Sequence, residues 1–85
     1  MVNVMIEIEK VSVCPSGSLA AIGTSDGVIR LLHIQEKIII AKWNAHPSQP
    51  ITGLEFKSSQ FLFSSGHDQG TQLILWNLHL HQWGN

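Results

Sequence analysis

Ile8-Glu9-Lys10-Val11-Ser12-Val13 returns 43 residues later as Ile51-Thr52-Gly53-Leu54-Glu55-Phe56, with the same Ile-x-x-apolar-x-apolar pattern. Leu19 recurs as Leu62 and Gly23 as Gly66 at that same spacing of 43. Asp26 meets Asp68 at 42, and Leu31-Leu32-His33-Ile34 meets Leu75-Trp76-Asn77-Leu78 at 44. Extended backwards, the period sets Asn3 opposite His46. It predicts one unit over residues 3–45 and a second over 46–85, and a period of this length decides the fold before any single motif does.

Inside a unit the apolar segments are short, rich in β-branched and aromatic residues, and bounded by turn residues, with no helical period. Strands are expected near Ile8–Val13, Leu19–Gly23, Val28–Ile34 and Ile38–Trp43. Cys14-Pro15-Ser16-Gly17-Ser18, Thr24-Ser25-Asp26-Gly27 and Gln35-Glu36-Lys37 make the turns between them. The second unit repeats this with strands near Ile51–Phe56, Phe61–Ser65 and Leu73–Leu78. Projecting Ile38–Trp43 forward lands on Gln82 and runs past Asn85, so the second unit is expected to lack most of its fourth strand.

An 85-residue chain is one small domain at most, and it buries too little surface to wall a deep enzyme pocket. Five basic and six acidic residues leave a net charge of −1, and Lys10, Arg30, Lys37, Lys42 and Lys57 are scattered, which argues against nucleic-acid binding by charge. No apolar run is long enough to cross a bilayer as a helix, so no membrane span is expected. The N-terminal alternation reads as a strand, not a secretory signal. With the single cysteine, Cys14, it points to a reducing intracellular compartment, in the simplest case the cytoplasm.

A period in the low forties with four short strands resembles the WD-repeat (Trp-Asp repeat) family of β-propellers. The second unit carries the resemblance best. Ala45-His46 stands where the family has Gly-His, Phe61-Leu62-Phe63-Ser64-Ser65-Gly66 matches its second strand, Asp68 its tight-turn aspartate, and Trp76-Asn77 its Trp-Asp. The resemblance implies an all-β fold of two four-stranded antiparallel propeller blades, and a structural hydrogen-bond network of His46, Ser65, Asp68 and Trp76. Such groups are costly to bury unless they satisfy one another. The first unit has Asn3, Ile22 and Leu32 at three of these positions, so apolar packing is expected to hold it.

A second kind of chemistry competes with this reading. Ser64, Ser65, His67 and Asp68 contain the residue types of a nucleophile, a base and its orienting acid. They sit on neighbouring strand-end positions that face different ways, without a strained elbow to present a serine. His79 and His81, with His67, could share one strand face as metal ligands, but two or three imidazoles without a second cysteine make a poor zinc site. A serine or metal-dependent hydrolase is therefore the reading of another class, and no catalytic residue, cofactor or metal is expected. Ile38-Ile39-Ile40, flanked by Lys37 and Lys42, fits an outer strand guarded against edge pairing.

The function the resemblance implies is a non-catalytic scaffold for proteins or peptides. Contacts would come from loops such as Cys14–Ser18, Gln35–Lys37, Pro47–Pro50 and Lys57–Gln60, with Arg30 as a candidate partner contact. Closed propellers need about four to eight blades. Two blades therefore need others, from the same longer chain, the expected case, or from other subunits that complete a ring as a homo-oligomer.

Overall fold

In the computed structural model the described residues are 5–67 and 73–78. They form seven strands: β1 Ile8–Val13, β2 Leu19–Thr24, β3 Val28–His33, β4 Ile38–Asn44, β5 Ile51–Phe56, β6 Phe61–Gly66 and β7 Leu73–Asn77. All seven were expected, with limits that differ by no more than one residue. They make two antiparallel sheets, ordered β1-β2-β3-β4 and β5-β6-β7. The expected stub of a fourth strand in the second sheet falls outside the described residues. Among the described residues no helix is long and apolar enough to cross a membrane.

The backbone repeats as the sequence does. β1 carries an irregularity between Ile8 and Lys10, and β5 carries one at the matching place between Ile51 and Gly53. The next turn breaks the match, because residues 14–18 link β1 to β2 but only residues 57–60 link β5 to β6. One residue is lost there, so β6 answers β2 at an offset of 42. Val11 opposes Ile22 in the first sheet, and its counterpart Leu54 opposes Ser64 in the second. The third strand then answers at 44, as Ala20 opposes Leu32 and Leu62 opposes Trp76. The expected pairing of Gly23 with Gly66 is therefore one residue out of register.

Opposed residues of an antiparallel pair point to the same face, which assigns every side chain to a side. The first sheet turns Leu19, Ala21, Gly23, Ile29, Leu31 and Trp43 toward the second. The second answers with Ile51, Leu54, Phe56, Leu62, Ser64 and Trp76. Ile29, Leu31, Ile51 and Leu62 are fully buried between them, and Ile40, Ala41, Trp43, Leu54 and Trp76 pack around that core. Small residues let the layers close: a Cβ on Gly23 would stand 2.6 Å from a methyl carbon of Ile51. At the rim the Trp43 and Trp76 rings meet edge-on with centroids 5.4 Å apart, a favourable aromatic geometry.

Candidate functional site

Three polar side chains meet inside the second sheet. Ser64 lies in β6 between Leu62 and Gly66, and the period-two alternation turns all three inward. Trp76, two residues along β7 from the Ile74 that opposes Ser64, donates its Nε1–H to Ser64 Oγ at 2.8 Å. His46 arrives from the segment between the sheets, and its Nε2 lies 2.9 Å from the same Oγ. A hydroxyl has one proton and two lone pairs, so Ser64 can accept from the indole and still share a hydrogen bond with the imidazole. His46 and Ser64 are 3% and 1% exposed. An acyl group cannot approach an oxygen enclosed in this way, so the trio ties strands together and is not a nucleophile with its base.

His46 is held by its backbone as well. The carbonyl of Gly27, in the turn between β2 and β3, accepts the N–H groups of both Ala45 and His46 at 2.9 Å. Gly27 has φ +84°, and a Cβ there would stand 1.7 Å from the His46 carbonyl oxygen. Gly66 leaves room for the imidazole in the same manner, since its added Cβ would lie 2.7 Å from the ring. The connection between the sheets is therefore clasped from both.

The sequence places Ser65 in this network, and the structure puts Ser64 there. Ser65 turns to the other face, where its Oγ lies 3.1 Å from Thr52 Oγ1. The cause is the shorter turn at residues 57–60, which moves the inward positions of β6 by one. Asp68, the fourth residue of the expected network, lies outside the described residues, as do His79 and His81. His67 is exposed, and its backbone N–H donates to the Pro50 carbonyl at 3.2 Å. Among the described residues no three His, Cys, Asp or Glu side chains gather as a metal-holding group.

The first sheet has a polar cluster of its own that sequence reasoning missed. Thr24 Oγ1 donates to Asp26 Oδ1, with the Val28 carbonyl 3.1 Å away as a second acceptor. Arg30 donates from Nη1 to Thr24 Oγ1 at 3.1 Å. The Thr24 hydroxyl holds the Asp26 carboxyl below its usual range; burial opposes this, while the Val28 N–H and the Arg30 charge reinforce it. Asp26-Gly27 was legible as a turn, but the joining of Thr24 to Arg30 depends on which face of β3 the arginine takes. Arg30, the candidate contact, is half-buried on the outer face of the first sheet.

Cys14 closes the opposite end. Its N–H donates to the Leu19 carbonyl, and its Sγ receives the Leu19 N–H at 3.3 Å and lies 3.2 Å from Ser16 Oγ. Burial pushes the thiol up, but the Ser16 and Ser18 hydroxyls with the Leu19 and Ser18 backbone outweigh it and bring it down to about 6.

No protein-family model matches the chain. It is 37% identical over 73 residues to WD repeat-containing protein 91 homolog of Dictyostelium discoideum, a stretch that covers 85% of this chain and 9% of that protein. It is 36% identical over 62 residues to WD repeat-containing protein 55 of Homo sapiens, covering 72% of this chain and 16% of that protein. Both support a WD-repeat relationship. The chain spans less than a fifth of the length of either relative.

Proposed function

We propose that the two sheets are consecutive blades of a WD-repeat β-propeller, units 3–45 and 46–85, and that they serve as a non-catalytic scaffold for proteins or peptides. The observation that carries this reading is the repeated backbone. The same strand irregularity recurs at Ile8/Lys10 and Ile51/Gly53, and the sheets stack face to face. The likeness to two WD repeat-containing proteins supports it, as does the enclosure of Ser64 and His46 within the fold. Among the described residues His46, Ser64, Thr24 and Asp26 are occupied in joining backbone segments, and the turns at the sheet ends are free to present contacts. The remaining blades belong to a longer chain or to other subunits.

Selection of peptides from a random displayed library against the purified chain tests this. Binders should be lost on Arg30→Ala or on replacement of residues 57–60 by glycine and serine, with each variant still melting cooperatively. Binders indifferent to every loop would refute the assignment of the surface. Esterase or metal-dependent activity abolished by His67→Ala would refute the non-catalytic reading.

A further inference from the structure

The turn from β3 to β4, residues 34–37, is held by its backbone and by one side chain. The His33 carbonyl accepts the Lys37 N–H at 2.7 Å, and the Ile34 N–H donates to the Ser18 carbonyl at 3.0 Å. Both are backbone bonds, indifferent to pH. The Glu36 N–H instead donates to Nδ1 of the His33 imidazole at 3.3 Å, at an exposed end of the sheet. A nitrogen that accepts must hold a lone pair, so the ring that closes this turn is neutral and carries its proton on Nε2. Protonation of Nδ1 would set a second N–H against that of Glu36, and neither could accept from the other.

Lys37 makes the turn sensitive to that loss. Its φ of +60° lies in the left-handed region, which a residue with a side chain seldom adopts and which persists only when its surroundings impose it. The bond from Glu36, its neighbour in the chain, helps to impose it. The matching position of the second sheet is built differently. Phe61 opposes Asn77 as Leu19 opposes His33, and Asn77 Oδ1 accepts from Gln60 Nε2 at 3.4 Å. A side-chain amide has no charge to gain, so acid should leave that contact alone.

Few charged groups surround the imidazole. The register turns His33 to the inner face with Leu19 and Leu31. β2, β6 and β7 carry no titratable side chain. Lys42 of β4 stands on the outer face opposite Arg30, and Glu55 of β5 points to the far side of its own sheet. Glu36 and Lys37, of opposite sign, belong to the turn itself, and Cys14 begins the turn whose Ser18 carbonyl holds Ile34.

We propose that His33 is a pH-sensitive clasp on the β3–β4 turn, closing it while the imidazole is neutral and releasing it when the ring takes a proton. Imidazole is the side chain suited to this, because its charge changes between about pH 5 and 8. Gln35–Lys37 is among the turns that the scaffold reading assigns to partner contacts. A partner held there meets an ordered turn at neutral pH and an open one in acid, and the clasp itself works whether or not a partner binds.

A nuclear magnetic resonance titration of the isotope-labelled chain from about pH 8 to 5 tests it. The Glu36 amide should shift with the same midpoint as the carbon-bound ring protons of His33. Its hydrogen exchange, corrected for the intrinsic dependence on pH, should quicken about fivefold, the share of one ordinary hydrogen bond. His33→Asn supplies an acceptor that does not titrate and should keep this amide protected at both ends of the range, whereas His33→Phe should leave it unprotected at both. A Glu36 amide that holds its shift and protection while the His33 ring titrates would overturn the clasp, whether or not either variant folds. Movement of equal size in His33→Asn would overturn it too, since that response would belong to Cys14, whose thiol at about 6 titrates in the same range.

Discussion

Replacing Ser64 by alanine should cost far more than replacing its neighbour Ser65. Ser64 Oγ serves the Trp76 indole N–H and the His46 imidazole together, at 2.8 and 2.9 Å. Its loss removes two hydrogen bonds, each contributing about 0.5–1 kcal/mol net, and deprives a nitrogen of the buried His46 of that partner at ~1–2 kcal/mol more. The sum is about 2–4 kcal/mol. Ser65→Ala removes only an exposed contact to Thr52 and should stay within ~0.5 kcal/mol. A chain of 85 residues has a total stability of about 4–13 kcal/mol, so the first substitution takes a large share of it. Urea unfolding followed by tryptophan fluorescence reads the difference directly. With a slope of roughly 1 kcal/mol per molar for so small a protein, the Ser64→Ala midpoint should fall by about 2–4 M and the Ser65→Ala midpoint by less than ~0.5 M. Equal shifts, or a larger one for Ser65→Ala, would refute the assignment of the network and the register beneath it.

Gly27→Ala forces a Cβ onto the His46 carbonyl oxygen at a backbone φ of +84° and should destabilise the chain by on the order of 3 kcal/mol, measured by the thermal melt. The Asp26 carboxyl is lowered in the folded state, chiefly by the Thr24 hydroxyl. Its stabilising contribution is therefore complete above the ordinary carboxylate value of about 4 and is lost as pH falls through the lowered folded value; Asp26→Asn should flatten the acid limb of the stability curve, and an unchanged limb would count against the Thr24–Asp26 bond. With the thiol of the buried Cys14 brought down to about 6, the ultraviolet thiolate absorbance of the folded chain should rise with pH around that value. A midpoint at the ordinary thiol value would show that the Ser16 and Ser18 hydroxyls do not stabilise the thiolate.

Much of the fold is legible because strand signals are local. Ile8–Val13 and Ile51–Phe56 alternate, Asp26-Gly27 and Cys14–Ser18 break the runs, and the spacing of 43 between the copies names the repeat. What escaped was register. Two neighbouring serines carry no local mark of which one faces inward, and the answer depends on a turn one residue shorter in the second unit. Counting the residues between Phe56 and Phe61 against those between Val13 and Leu19 would have supplied it. Long-range contacts left still less trace. Gly27 reads as a turn residue, but the carbonyl it must clear belongs to His46, on the segment that joins the sheets. The Thr24–Arg30 bond likewise needs the β2–β3 register before its partners can meet.

The two units stack face to face as one body, and nuclear Overhauser contacts across the layer test that stacking. The chain should show cross-peaks between the Trp43 and Trp76 ring protons, whose centroids lie 5.4 Å apart, and between the Gly23 α-protons and the Ile51 methyl groups. Cross-strand contacts within each sheet without any of those between the sheets would contradict it.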